Sequence, residues 1–218
     1  YHEYDLMEQI ITETENLLSD DKLGAVNDRA LLLNNKAMLL SNRNDKLAKS
    51  ISLMNKALSM CDEKSNPVLF ANINMNLGIL YTENKETERG LEFMDKAYLF
   101  IKLTRAYNND FITITRNYAA TLSENGRVTK AIEVLKECEF ATEGCCSNNH
   151  AALLYDLGAA YILSGNYPLA VKKYSLAFAE YSALGCSEEL TARKIAAARQ
   201  MQRYGFEYPK EWETDYLE

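Results

Sequence analysis

The chain has 218 residues, with 24 Lys+Arg against 31 Asp+Glu and a formal net charge of −7. A hydrophobic content of 47% excludes wholesale disorder, and three prolines with nine glycines are too few for a many-turned β-sandwich or barrel. The acidic balance speaks against a nucleic-acid surface, because phosphate binding draws on clustered Lys/Arg.

Helical periodicity begins at once. Leu6, Ile10, Ile11 and Leu17/Leu18 recur at three- and four-residue steps and predict a helix from Glu3 to Leu18. This reads as the second helix of a partial hairpin over 1–25. The same spacing follows in Leu32, Leu33, Ala37, Leu39 and Leu40, then in Ile51, Leu53, Met54, Ala57 and Leu58. Turn residues separate the apolar segments: Ser19-Asp20-Asp21, Asn42 to Asp45, Ser65-Asn66-Pro67, Asn84-Lys85-Glu86, Asn108-Asn109-Asp110, Glu124-Asn125-Gly126, Gly144 to Asn149, Gly165-Asn166 and Gly185. Helices of about 15–20 residues joined by short turns describe a chain of antiparallel hairpins. Ser187 is placed to cap a last helix running to about Tyr204, with Glu188 and Glu189 suited to its positive end. The acidic tail over 205–218 holds Trp212, which would either dock on the last hairpin or meet a partner.

The hairpins are copies of one another. Leu77-Gly78-Ile79-Leu80-Tyr81 aligns with Tyr118-Ala119-Ala120-Thr121-Leu122 and with Leu157-Gly158-Ala159-Ala160-Tyr161. Small residues follow each at fixed distances: Gly90, Ala131 and Ala170, then Ala97, Cys138 and Ala177. An earlier copy carries Ala37 and Ala57. Recurrence at about forty residues means a solenoid. It divides one domain, 1–204, into copies at about 26–64, 66–107, 109–146 and 147–186 and a capping helix over 187–204. The small residues let two helices cross closely: Gly78 against Gly90, Ala119 against Ala131, Gly158 against Ala170. Tyr81, Leu122 and Tyr161 are expected over the crossings. Met94, Leu135 and Tyr174 are expected in the seams between hairpins.

The pattern Leu-Gly-x-x-Tyr, then a small residue, then Ala resembles the tetratricopeptide repeat (TPR). Its best copy is Tyr155-Asp156-Leu157-Gly158-Ala159-Ala160-Tyr161 with Gly165-Asn166-Tyr167 and Ala170. The copies run near 40 residues rather than 34 and lack the terminal proline, which is similar to kinesin light chain repeats and to bacterial peptide-sensing regulators. The resemblance covers about 26–184 and implies an all-α, right-handed superhelix of nine or ten helices. It further implies that the first helix of each hairpin lines a concave groove. The residue two before the small position would point into that groove: Asn35, Asn76, Asn117 and Asp156. An amide carries both a donor and an acceptor, so a row of them suits an extended peptide backbone. Asn34, Asn72, Met75, Arg116 and Tyr155 are neighbours on that face, joined by Met38, Ile79, Ser123 and Glu124. The competing reading is that these amides bridge adjacent helices. Relatives that clamp acidic C-termini carry Lys at positions occupied here by Leu31, Asn72, Thr113 and Ala152, so a less acidic ligand is expected.

Catalytic chemistry has little support. His2 and His150 are the two histidines, His150 at a helix start where solvation or capping is the ordinary role, and no nucleophile-elbow, zincin, Walker or dinucleotide motif occurs. Asp20-Asp21 read as helix caps, Lys172-Lys173 as a solvated face, and Tyr98, Phe100, Tyr107, Phe111 and Tyr118 as core. Five cysteines, an odd number with no C-x-x-C, argue against a disulfide framework or zinc site and fit reduced thiols in the cytoplasm. Cys138 stands where other copies have Ala97 and Ala177, so it reads as buried and inert, whereas Cys145 and Cys146 lie in a turn. No apolar run approaches the ~18 residues of a membrane span. The opening Tyr1 to Asp5 has no signal-peptide character and no initiating Met, as in a fragment or processed chain. The expectation is a non-enzymatic scaffold without cofactor or metal that binds a protein or extended peptide, with no direct contact to nucleic acid or membrane. The alternative is the ligand-sensing part of a bacterial transcription regulator whose DNA-binding domain lies upstream.

Overall fold

The computed structural model describes residues 2–19, 26–41, 46–105 and 108–213. Every regular element among them is helical: ten α-helices and one short 3-10 turn. The chain divides into two compact units, Tyr1–Ala106 and Tyr107–Glu218.

The first unit holds α1 (His2–Leu18), α2 (Val26–Ser41), α3 (Leu47–Met60), α4 (Pro67–Glu83) and α5 (Thr87–Leu103). Helices α2 and α3 form one hairpin and α4 and α5 the next, while α2 and α4 lie side by side. Helix α4 starts sharply because the Asn66 side chain accepts from the Leu69 N–H at 3.1 Å and Pro67 occupies the first turn, where no backbone donor is needed. Ala30, Ala37, Met54, Ala57, Ile73 and Leu77 form the centre of the core, each fully buried. The crossing of α4 and α5 is a backbone contact. A Cβ on Gly90 would stand 2.6 Å from the Gly78 carbonyl oxygen, and one on Gly78 would meet Met94 Cγ and the Gly90 carbonyl oxygen. Met94 therefore fills its own hairpin rather than the seam expected from the sequence. Tyr81 lies over α5 as anticipated, its ring 5.4 Å from Phe93 and under the Arg89 guanidinium at 4.1 Å.

The second unit holds α6 (Asn109–Glu124), α7 (Val128–Ala141), α8 (Asn148–Leu163), α9 (Tyr167–Ala183), α10 (Ser187–Arg203) and the 3-10 turn Lys210–Trp212. Helices α6 and α7 pair, as do α8 and α9. Helix α8 lies beside α6 on one side and α10 on the other. Asn108, Ser147 and Asn166 cap α6, α8 and α9 with side-chain oxygens. Helix α10 differs: Cys186 is its boundary residue, no side chain caps it, and Ser187 is already helical, so the expected Ser187 cap is not formed. Gly158 meets the Tyr174 ring, whose nearest atom would be 2.8 Å from an added Cβ. Tyr174 is thus the partner of the small residue inside the hairpin. Its ring also stands perpendicular to that of Trp212, with centroids 5.6 Å apart, and Trp212 packs likewise on Phe178 at 5.1 Å. Trp212 is 3% exposed, so the segment after α10 folds back as a cap on α9.

Several polar residues sit more deeply than their sequence position suggests. His150 is 7% exposed, not solvated, and its Nδ1 faces the Glu180 carboxylate of α9 at 2.9 Å. Lys173 is half-buried and bonds Glu139 of α7, while Lys172 is exposed. Tyr98, Phe111 and Tyr118 are buried; Tyr107, Asp20 and Asp21 lie outside the described residues. Cys138 is fully buried beneath α6, which pushes its thiol up to about 12, whereas Cys145 and Cys146 are exposed. No described helix is long and apolar enough to cross a membrane, and no described cluster of His, Cys, Asp or Glu could hold a metal ion.

Candidate groove on the first helices

In the first unit, the groove positions of α2 and α4 are joined by amides. Asn76 donates from Nδ2 to Asn34 Oδ1 at 2.8 Å, and Asn34 donates in turn to Asn35 Oδ1 at 3.0 Å. Asn34 is only 7% exposed, Asn76 and Asn72 are half-buried, and Asn35 faces solvent. Met75 is 2% exposed and belongs to the core.

In the second unit the corresponding bridge is made by charged residues. Asp156 accepts from Arg116 Nε at 2.6 Å, linking α8 to α6. The two side chains are 29% and 23% exposed. Desolvation pushes the Asp156 carboxyl up, and Arg116 and Arg193 pull it back. Both bridges follow one rule: the groove residue of one copy bonds the residue preceding the groove position in the copy before. Asn117 is exposed, and its amide makes no hydrogen bond among the described residues.

Helix α10 extends this face beyond the positions named from the sequence. Arg193 lies over the Tyr155 ring at 4.8 Å and donates to Glu189 Oε1 at 2.7 Å. Tyr155 itself is 8% exposed, and burial pushes its phenol up to about 12. The readable signal for this missed pair is its i,i+4 spacing of acid before base. Below the Arg116–Asp156 bond, a cleft of about 190 Å³ opens between α6 and α8. Its floor is Ala119, Leu135 and Ala160, and Ala120, Ala159 and Leu163 form its walls. Ser123, Glu124 and Asp156 supply its polar rim.

No protein-family model matches the chain, and a search of curated proteins finds no match. Solved structures do match. The nearly identical TPR-like repeats of a chain described as a kinesin light chain of Podosopora anserina superpose with a TM-score of 0.64 at 17% identity, covering 79% of this chain and 85% of that one. A single-substitution variant of those repeats gives 0.68 at 17% identity, over 84% and 89%. BtubC (BKLC) from P. vanneervenii gives 0.67 at 15% identity, over 84% and 75%. The chain has the TPR-like helical-repeat fold of these structures.

Proposed function

We propose that the chain is a protein-binding module without catalytic chemistry, which holds an extended peptide against the face formed by α6, α8 and α10. The observation that carries this reading is the pairing of an unengaged amide with an ordered charged row. Asn117 offers a donor and an acceptor, and on the same face two ion pairs are already formed, Arg116 with Asp156 and Arg193 with Glu189. A surface whose side chains are already fixed loses little rotamer freedom on binding. Asn35 and Asn117 are the exposed members of the recurrent set, whereas Asn76 and Asp156 are engaged between helices. The ligand-contacting role therefore falls to Asn117 with the α10 residues.

The test is selection of random dodecapeptides, displayed on phage, against the whole chain. Synthetic copies of the retained sequences should bind wild type and lose about two- to tenfold with Asn117→Ala, the loss of a single hydrogen bond of about 0.5–1.5 kcal/mol, while the melting temperature stays unchanged. Selection of no peptide, or of peptides indifferent to both Asn117→Ala and Arg193→Ala, would refute the reading.

A further inference from the structure

We infer that the cleft between α6 and α8 receives a lysine or arginine side chain of the bound peptide, an assignment that rests on the peptide-holding reading above. The cleft has the two-part chemistry of such a side chain. Its alanine and leucine lining matches a methylene stem, which prefers apolar surface, while the charged head needs a polar rim. At ~30 Å³ for each water, its volume of about 190 Å³ is that of roughly six waters, enough for a long side chain and too little for a folded element.

The rim is negative from two sources. Glu124 is exposed and makes no ion pair among the described residues. The Asp156 charge is compensated by Arg116, but a carboxylate has about four acceptor sites and so keeps capacity for a second donor. The second source is the backbone. Ser123 and Glu124 end α6 and Leu163 ends α8, so two helix C-termini border one cleft. Each terminus carries a partial negative charge, and neither helix has a basic residue in its last turn to offset it. No Lys or Arg lines the cleft. Charge complementarity therefore selects a cation. The size and apolar lining select one on an aliphatic stem.

The dodecapeptide selection supplies the probe. Retained sequences should share a Lys or Arg in fixed register. Replacing that residue by norleucine, which keeps the stem and removes the charge, should weaken binding about tenfold. Glu124→Lys should do the same or more, and Ala159→Phe, which fills the cleft, should abolish binding of the same peptide. Circular dichroism should show both variants folded. A recurrent acidic or apolar residue in that register, or full binding of the norleucine peptide, would overturn the assignment. Peptides that lose affinity with Asn117→Ala but bind Glu124→Lys as tightly as wild type would sink the basic-residue assignment alone. Failure to select any peptide would remove the groove reading and this assignment together.

Discussion

Where neighbouring first helices are bridged, the first unit uses two amides and the second two charges, yet the two sets build the same bridge. Asn76 reaches back to Asn34 across α4 and α2, and Asp156 takes its bond from Arg116 across α8 and α6. Within each unit a polar pair fills the slot between neighbouring first helices, neutral in one and ionic in the other. The difference matters at the surface: an amide pair is neutral, whereas an ion pair leaves a field along the face of the second unit. The cleft with its two helix ends lies on that charged side.

The largest effect separates the units at their helix crossings. Gly90 approaches a backbone carbonyl that cannot step aside, whereas Gly158 approaches the Tyr174 ring. Gly90→Leu should cost about 3 kcal/mol or more, above the usual ~1–3 kcal/mol of overpacking. Gly158→Leu should fall within that range, with Tyr174 tilting against Trp212. Thermal unfolding by circular dichroism measures both. Equal losses would mean that the ring is as rigid a neighbour as the backbone.

These crossings were legible in the sequence because close approach of two helices tolerates only Gly or Ala, and that demand recurs once per copy. What occupies the other side was not legible. The facing position is Met94 in one copy, Leu135 in another and Tyr174 in a third, and a large residue scans alike whether it fills a hairpin or a seam. The groove was half legible for a similar reason. Helical spacing places Asn35, Asn76, Asn117 and Asp156 on one face, but a polar side chain at a given spacing does not disclose whether it meets solvent or the next helix. Burial of His150 against Glu180 was hidden too, because its partner is 30 residues away on another helix.

The two bridges should differ in strength. Arg116→Ala strands the Asp156 carboxylate, which is 29% exposed on its side chain. The cost should lie between that of an exposed ion pair and a buried one, about 1–3 kcal/mol. Trp212 is the single tryptophan and lies in the same unit, so its fluorescence during denaturation reports the change. Asn34→Ala removes an amide bridge and should cost about 0.5–1.5 kcal/mol, followed by circular dichroism. An Arg116→Ala loss no greater than that of Asn34→Ala would show that the charges add nothing beyond a hydrogen bond.

Cys138 sharpens the contrast through pH, since the first unit has Ala97 at the same position. Burial raises the folded thiol to about 12, while an unfolded thiol ionises near 8.5. Above ~8.5 the unfolded chain releases a proton that the folded chain keeps, so stability falls as pH rises toward the folded value. Between pH 8 and 9.5 the loss from this group should be about 1 kcal/mol, with almost none at pH 7. Cys138→Ala should flatten that part of the stability–pH curve. An unchanged alkaline slope would mean that the thiol ionises equally in both states. Iodoacetamide labelling of the native chain should then also modify Cys138 as fast as the exposed Cys145 and Cys146.

The smallest effect lies in the helix-ending turns. After α6 and α8 the chain turns through Gly126 at φ +74° and Gly165 at φ +77°; after α4 it turns through Lys85 at φ +67°. The hydrogen bonds are the same in each. Lys85 N–H bonds the Thr82 carbonyl at 3.0 Å and Glu86 N–H the Tyr81 carbonyl at 2.9 Å, just as Gly126 bonds Ser123 at 3.1 Å and Arg127 bonds Leu122 at 2.8 Å. A residue with a Cβ pays about 1–2 kcal/mol for left-handed backbone, and glycine avoids that at the cost of more freedom in the unfolded chain, about 0.5–1 kcal/mol. The balance favours glycine, so Lys85→Gly should stabilise the chain by about 0.5–1 kcal/mol and raise its melting temperature by roughly 1–4 °C. A Cβ on Gly126 would meet nothing within 4 Å, so Gly126→Ala tests the same backbone term without a clash and should cost a similar amount. Opposite signs for the two substitutions would confirm that the turns differ only in backbone strain. A loss of stability in Lys85→Gly would instead mean that the lysine side chain contributes more at this turn than its backbone costs.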